Sequence, residues 1–397
     1  MNLAERVGRV QPSKTLAVTT RAVELRAAGQ DIINFGVGEP DFDTPENIKD
    51  AAIQAIHKGL TKYTAAGGTP ALKTAIQSKL RRENGLAYGL EQIIVSAGAK
   101  YSLYSLFQIL LNSGDEVLIP APYWVSYPDM VLLADGRPVF MPTRPEHNFE
   151  ITVEDLRASL TPRTKALVLN SPSNPTGSVY TREKLQAIAG FLEDKDIYII
   201  SDEIYEYFLY GGAEFYSIAS FSERIKAKTI VVNGVSKSYS MTGWRIGYAA
   251  GPAEVVKAME TLQSQSVSNP ASIAQAAAVE AINGDQSSVA VMLEAFTRRR
   301  AYMLEVFRKI PGIQCRAPQG AFYVFPDVSA LYGKSYKGQK INNSLDFAGA
   351  LLNASGVAVV PGAAFGGDNY VRLSYACSTK NIEKGLGRIA EFIEKLV

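Results

Sequence analysis

The chain has 397 residues, beyond the length at which a single core keeps growing, so two domains are expected. With 47% hydrophobic and 20% charged residues it reads as a soluble globular protein, and a formal net charge of +2 gives no basis for a nucleic-acid or membrane surface. Its two histidines, His57 and His147, and two distant cysteines, Cys315 and Cys377, leave little from which to build a histidine triad or a metal site; no metal is expected.

At the start, Met1-Asn2-Leu3-Ala4-Glu5-Arg6-Val7 lacks the apolar core of a signal peptide, and no run approaches the ~20 apolar residues of a membrane span, so a cytoplasmic protein is expected. Residues 1–45 are too short to fold alone and are expected to pack on the small domain or on a partner subunit. Residues 46–288 are expected to form the large domain. There, Ile93-Ile94-Val95-Ser96, Glu116 to Pro120, Ala166 to Asn170, Ile197 to Ser201 and Thr229 to Asn233 read as buried strands. Helical patterns such as Lys100 to Asn112 and Thr181 to Glu193 lie between them, which predicts an α/β fold with a largely parallel sheet. From about Val289 the pattern changes to a long helix, in which Arg298-Arg299-Arg300 reads as a solvated face rather than an anion site. Strands at Ala321 to Phe325 and Val371 to Tyr375, a helix near Leu345 to Asn353 and a last amphipathic helix from Asn381 predict a smaller α+β domain over residues 289–397. Tyr332 to Gly338 reads as a mobile polar surface loop.

Ligands of such sheets gather beyond the carboxyl ends of the strands, and the unusual residues follow strands. Gly98-Ala99-Lys100 stands where free N–H groups and a helix dipole make an anion site, although a plain turn explains most such glycines. In Asn170-Ser171-Pro172-Ser173-Asn174-Pro175-Thr176-Gly177, two prolines stiffen a loop that either fixes the Asn174 amide toward a ligand or is only a rigid turn. Asp202 ends an apolar strand, so it must be paired, as with a protonated pyridine nitrogen, or remain near water, unless it acts only as a helix cap; Tyr205 follows three residues on. Ser236-Lys237-Ser238, with Gly243 and Arg245 beyond, suits an amine whose pKa is lowered to attack a carbonyl, and Arg245 has the fork that fits phosphate. Taken alone, Ser-Lys-Ser is also an ordinary solvated loop.

Together Asn174-Pro175-Thr176-Gly177, Asp202-Glu203-Ile204-Tyr205, Ser236-Lys237 with Arg245, and Arg372-Leu373-Ser374 resemble the class I pyridoxal-phosphate aminotransferases in order and spacing. The resemblance runs from Gly36-Val37-Gly38-Glu39-Pro40-Asp41-Phe42 to the last helix and is strongest to the bacterial aspartate/prephenate aminotransferase branch. It implies the type I fold of these enzymes, with a seven-stranded, mostly parallel sheet, pyridoxal 5'-phosphate as cofactor, and a homodimer with shared active sites. It also implies that Lys237 is the Schiff-base lysine and proton shuttle, that Asp202 pairs with the pyridinium nitrogen, and that Tyr205 and Asn174 donate to the phenolic oxygen. Trp124 is implied to stack on the ring, and Gly98, Ala99, Lys100, Ser236 and Arg245, with Tyr63 of the other subunit, to complete the cofactor site. Arg372 and the Gly38 backbone are implied to hold the substrate carboxylate.

The stretch Ser264 to Ala271 contains no arginine for a distal carboxylate, whereas Lys100 takes that role in the branch this chain resembles. Members of that branch that also transaminate prephenate carry a start similar to Pro12-Ser13-Lys14-Thr15, so the resemblance, through Thr15 and Lys100, keeps prephenate open as a second acceptor. The activity implied is transfer of an amino group from aspartate to 2-oxoglutarate. Transamination of aromatic or other amino acids and a C–S lyase on the same fold are the alternatives. A transcription regulator built on this fold is disfavoured, because no basic helix-turn-helix pattern is present.

Overall fold

The computed structural model describes residues 3–10 and 14–397, with side chains from Thr20 onward in the second stretch. Strands β1 (Ile93–Ser96), β2 (Glu116–Ala121), β3 (Arg137–Pro142), β4 (Thr164–Asn170), β5 (Tyr198–Asp202), β6 (Thr229–Gly234) and β7 (Gly247–Ala250) form one sheet in the order β1-β7-β6-β5-β4-β2-β3. All neighbours pair in parallel except β7, which runs antiparallel to both β1 and β6. The five expected strands stand at nearly their expected bounds. The two unforeseen ones lack the usual signature: β3 carries a proline at its second and last positions and lies at the sheet edge, and β7 is Gly-Tyr-Ala-Ala.

The sheet is covered on both faces because its strands are apolar on both. Val117, Ile119, Val168 and Ile200 face helix Ala99–Leu110, which buries Leu103, Leu106, Phe107 and Leu110 at helical spacing. Leu118, Leu167, Leu169 and Ile199 point the other way, toward Leu185, Ile188 and Leu192 of helix Arg182–Leu192. Each such side chain contributes about 1.5–3 kcal/mol by leaving water. Thr181 caps the second helix by accepting from the Lys184 N–H.

The C-terminal part contains helix Ser287–Phe307 and a three-stranded antiparallel sheet of β8 (Tyr323–Val324), β9 (Val360–Pro361) and β10 (Val371–Ser374), in the order β9-β10-β8. Helices Ser344–Ser355 and Thr379–Glu394 pack beside it, with Phe296, Phe322, Phe347, Leu386 and Phe392 in one core. The N-terminal segment joins this region: strand Ile33–Asn34 pairs in parallel with Val357–Ala358, and Ala22, Leu25 and Ile32 bury against Ala358. Arg9 also reaches the sheet-bearing part, with Nη1 2.6 Å from Oδ1 of Asp135.

Two expectations are corrected. Of the three consecutive arginines only Arg298 lies on a solvated face; Arg299 forks onto both carboxylate oxygens of Asp41 (2.7 and 2.9 Å), and Arg300 donates to Pro318 O (2.6 Å) over the Tyr210 ring. Their stems lie along apolar surface while their heads bind fixed acceptors, which periodicity does not reveal. The supposed mobile loop after Tyr332 forms a hairpin, Ser335–Tyr336 against Gln339–Lys340, and the Ser335 N–H donates to Val397 O at 2.7 Å.

Candidate active site

A cavity of about 670 Å³ opens at the carboxyl ends of β4, β5 and β6 and is closed on its other side by Tyr323, Arg372 and the segment from Gly36 to Glu39. Helix Ala99–Leu110 points its N-terminus at one end. Gly98 there has φ 91°, and a Cβ on it would lie 2.1 Å from Nη2 of Arg245; a Cβ on Gly247 would lie 2.1 Å from the Ala99 nitrogen. Two glycines therefore let the helix start settle against β7 and the guanidinium. The first N–H groups of a helix have no acceptor within it, so with its dipole and the cation this end of the cavity attracts an anion. Arg245, itself at φ 58°, is aimed by donating to Thr242 O (2.7 Å) and Ala97 O (3.3 Å). Ser236 lies buried at the same end.

Lys237 follows directly and donates from Nζ to Gly38 O at 2.5 Å. Burial pushes its ammonium down to about 8; Glu39 opposes this, Arg372 and Arg245 reinforce it, and Asp202 opposes it. The amine is thus far closer to its nucleophilic form at neutral pH than a free lysine. Asp202, at the end of β5, is 4% exposed and accepts from Tyr127 Oη (2.5 Å) and from the Ile204 N–H (3.4 Å). Burial raises its carboxyl to about 6 despite those hydrogen bonds. It faces the cavity and forms no ion pair among the described residues, Lys237 acting on it only through its charge.

Asn174 is fixed from two sides. Its N–H donates to Asn170 Oδ1 (2.8 Å), and its Oδ1 accepts from Arg372 Nη1 (2.9 Å), which leaves the amide Nδ2 for a ligand. Arg372 is 3% exposed, donates from Nη2 to Gly36 O (2.7 Å), and stacks over the rings of Tyr323 (4.4 Å) and Phe365 (5.0 Å). Its Nε is buried without a partner, and no carboxylate pairs with it among the described residues. A buried cation in this condition calls for an anionic ligand. Tyr205 shares a 2.8 Å hydrogen bond with Tyr323, and burial is the main reason its phenol is raised well above the ordinary range.

Lys100 lies on the cavity wall with Nζ 4.9 Å from the centre of the Trp124 ring, and its pKa is lowered by burial first and by Arg245 second, against Asp129. Thus Gly38, Ala99, Lys100, Trp124, Asn174, Asp202, Tyr205, Ser236, Lys237, Arg245 and Arg372 all line one cavity, with Gly98 against Arg245. Tyr63 does not: it is 91% exposed, away from the cavity of its own chain. Thr15 falls in helix Lys14–Ala27, and its side chain lies outside the described residues. Tyr127, Asn170, Glu39, Thr242 and Tyr323 belong to the site as well, although no sequence expectation assigns them a role there. Tyr127 lies in Pro122 to Pro128, and Asn170 opens the proline loop, so both were within reach; Tyr323 is buried in an apolar strand, where nothing distinguishes it from core. Among the described residues no group of His, Cys, Asp and Glu is placed to hold a metal ion.

This arrangement, a depressed lysine between a buried carboxylate and two arginines at the mouth of a mostly parallel sheet, is suited to group transfer on an anionic substrate. The family described as aminotransferase class I and II matches residues 30–389. The chain is 53% identical over 392 residues to the aspartate aminotransferase of Bacillus sp. (strain YM-2), covering 99% of each. It is 50% identical over 396 residues to the aspartate/prephenate aminotransferase of Nitrosomonas europaea, covering 99% of this chain and 100% of that one. The crystal structure of the aspartate aminotransferase from Rhizobium meliloti superposes with a TM-score of 0.97 at 44% identity, covering 100% of both chains. The chain belongs to the class I and II aminotransferase family and has its fold. It is an enzyme, an aminotransferase.

Proposed function

We propose that the chain is a pyridoxal-phosphate-dependent aspartate aminotransferase that passes the amino group of aspartate to 2-oxoglutarate by a ping-pong route. The observation that carries this reading is Arg372, buried, forked and without a carboxylate of its own, across the cavity from a lysine depressed to about 8. The relatives named for aspartate supply the substrate class.

The residues present fit the cofactor. The start of helix Ala99–Leu110 with Gly98, Ser236 and Arg245 would hold its phosphate, Trp124 its ring face, Asn174 and Tyr205 its phenolic oxygen, and Asp202 its ring N–H. That last pairing would give a carboxylate raised to about 6 the cation it lacks. Bound there, the cofactor supplies the carbonyl that Lys237 bonds and the electron sink that lets the substrate's α-proton leave. Lys237 Nζ, with its amine free and neutral, would accept the proton from the substrate Cα and hold it for redelivery. Arg372 holds the α-carboxylate by two parallel hydrogen bonds, assisted by Gly38, and Lys100 faces the distal carboxylate. Residues 46–288 and 289–397 act as two bodies with the site between them.

The working unit is a cytoplasmic homodimer. Tyr63, beside exposed Ile53, Ile56 and Leu60, would reach the phosphate of the partner's site, and those apolar side chains would be covered by the second subunit. Cys315 and Cys377 are free thiols, as suits a reducing compartment, and among the described residues no helix is long and apolar enough to cross a membrane.

Adding aspartate to the purified, cofactor-loaded protein is expected to shift the visible absorbance of the cofactor and release oxaloacetate; absence of both defeats the assignment. Prephenate is a second acceptor in this reading, supported by the Nitrosomonas europaea relative's name, and a panel of amino donors and oxo-acid acceptors that includes it tests the ranking. Release of pyruvate or ammonia in that panel would instead mark a lyase.

A further inference from the structure

Tyr323 is a buried tyrosine whose ring alone would satisfy the packing around it, so its hydroxyl requires its own account. Three contacts converge on the side chain. Its phenol oxygen is 2.8 Å from that of Tyr205, its ring lies 4.4 Å from the Arg372 guanidinium, and a Cβ on Gly38 would stand 2.8 Å from the phenol oxygen. Gly38 is the residue whose carbonyl accepts from Lys237.

Only one proton can lie between two phenol oxygens 2.8 Å apart. If Tyr205 gives that proton to Tyr323, it turns only lone pairs to the cavity. If Tyr323 gives it, the Tyr205 proton is free for a ligand oxygen, and the two bonds in series strengthen each other by about 10–30%. We propose that Tyr323 is a positioning residue: its hydroxyl donates to Tyr205 and so makes Tyr205 a donor toward the cofactor's phenolic oxygen, while its ring fixes the plane of Arg372. One side chain of the small sheet thereby couples the cofactor end of the cavity to the substrate-carboxylate end. This rests on the pyridoxal-phosphate reading given above.

The test uses the enzyme loaded with pyridoxal phosphate and reads the pH midpoint of the cofactor's visible absorbance change, together with KM for aspartate. A weaker donor stabilises the phenolate less, so its linked proton is retained to higher pH. Tyr323→Phe is expected to raise the midpoint by roughly half a pH unit. Tyr205→Phe should raise it further, and the double variant should match Tyr205→Phe alone, because the first hydroxyl acts only through the second. KM should stay within about threefold in Tyr323→Phe, which keeps the ring, and rise about tenfold in Tyr323→Leu, which does not. An unmoved midpoint in Tyr323→Phe, or additive shifts in the double variant, overturns the proposal. Should the Phe variant fail to load, 3-fluorotyrosine at position 323, a stronger donor of nearly the same shape, must lower the midpoint; no change or a rise overturns it. A wild-type protein that never takes up the chromophore defeats the cofactor reading instead.

Discussion

Arg372 Nη1 donates to Asn174 Oδ1 across 2.9 Å, joining the small sheet to the proline loop that follows β4. The bond uses one side of each partner: Asn174 is left with its amide hydrogens for a ligand, and Arg372 keeps a buried Nε without a partner. A side chain assigned to the cofactor and one assigned to the substrate are thus held in one frame.

Arg372→Lys is expected to lower kcat/KM for aspartate by about 10²–10³-fold. Lysine carries the charge but not the planar fork, and two charge-assisted hydrogen bonds of about 1.5–3 kcal/mol each lose their geometry. Steady-state kinetics beside a thermal melt check this. A drop smaller than tenfold with an intact melt would show that Arg372 does not clamp the substrate.

Lys237 should reveal its depressed pKa in how the cofactor-free protein captures added pyridoxal phosphate. The rate is expected to rise with pH and level off above about 8, where the amine is neutral. Glu39 holds the ammonium form up, so Glu39→Gln should move the midpoint to lower pH. The stability sign agrees: a base whose folded pKa lies below its unfolded value of 10.5 costs the fold stability below about pH 8, and that cost is relieved between about 8 and 10.5. Stopped-flow absorbance from pH 6 to 10 measures the midpoint, and a flat profile contradicts the assignment.

How much of this was legible in the sequence follows from how local each signal is. Lys237, Asp202, Asn174 and Gly98 each stand at or just beyond the end of an apolar strand, so the strand-end rule alone brings them together. Strand β7 was not legible, because Gly247 is chosen for the close approach of Ala99 rather than for strand propensity. Tyr127 and Tyr323 were missed for a different reason: their hydroxyls bind Asp202 and Tyr205 across gaps of 75 and 118 positions, and no periodicity encodes such a contact. Arg299 was misread because its acceptor, Asp41, is 258 positions away.

Asp202 is expected to destabilise the cofactor-free protein it serves. With its carboxyl raised from 3.8 to about 6, the folded chain holds a proton that the unfolded chain has released, so stability falls as pH rises through that window, by about 3 kcal/mol at most. Asp202→Asn should therefore raise the melting temperature of the cofactor-free protein at pH 8 by about 2–5 °C, with about half that gain left at pH 5. Cofactor affinity and activity should fall in the same variant. Calorimetry at the two pH values decides it, and a variant less stable at pH 8 would mean that the carboxylate is compensated by contacts already present.

Lys100 is where substrate choice is expected to be made. Its Nζ lies over Trp124 at 4.9 Å, on the same wall as the anion-binding end, and burial lowers its pKa, so an acidic side chain reaching it would offset that and favour the charged form. Lys100→Met keeps most of the stem that packs against the ring and removes only the charge. KM for aspartate should then rise about 10–100-fold, the loss of one hydrogen bond to a charged group, while KM for phenylalanine changes less than about threefold. Measuring both donors with 2-oxoglutarate as acceptor separates two roles. A selective loss for aspartate assigns the distal carboxylate to Lys100, whereas equal changes for both donors reduce it to a wall of the cavity and leave the acidic side chain to be read by another residue.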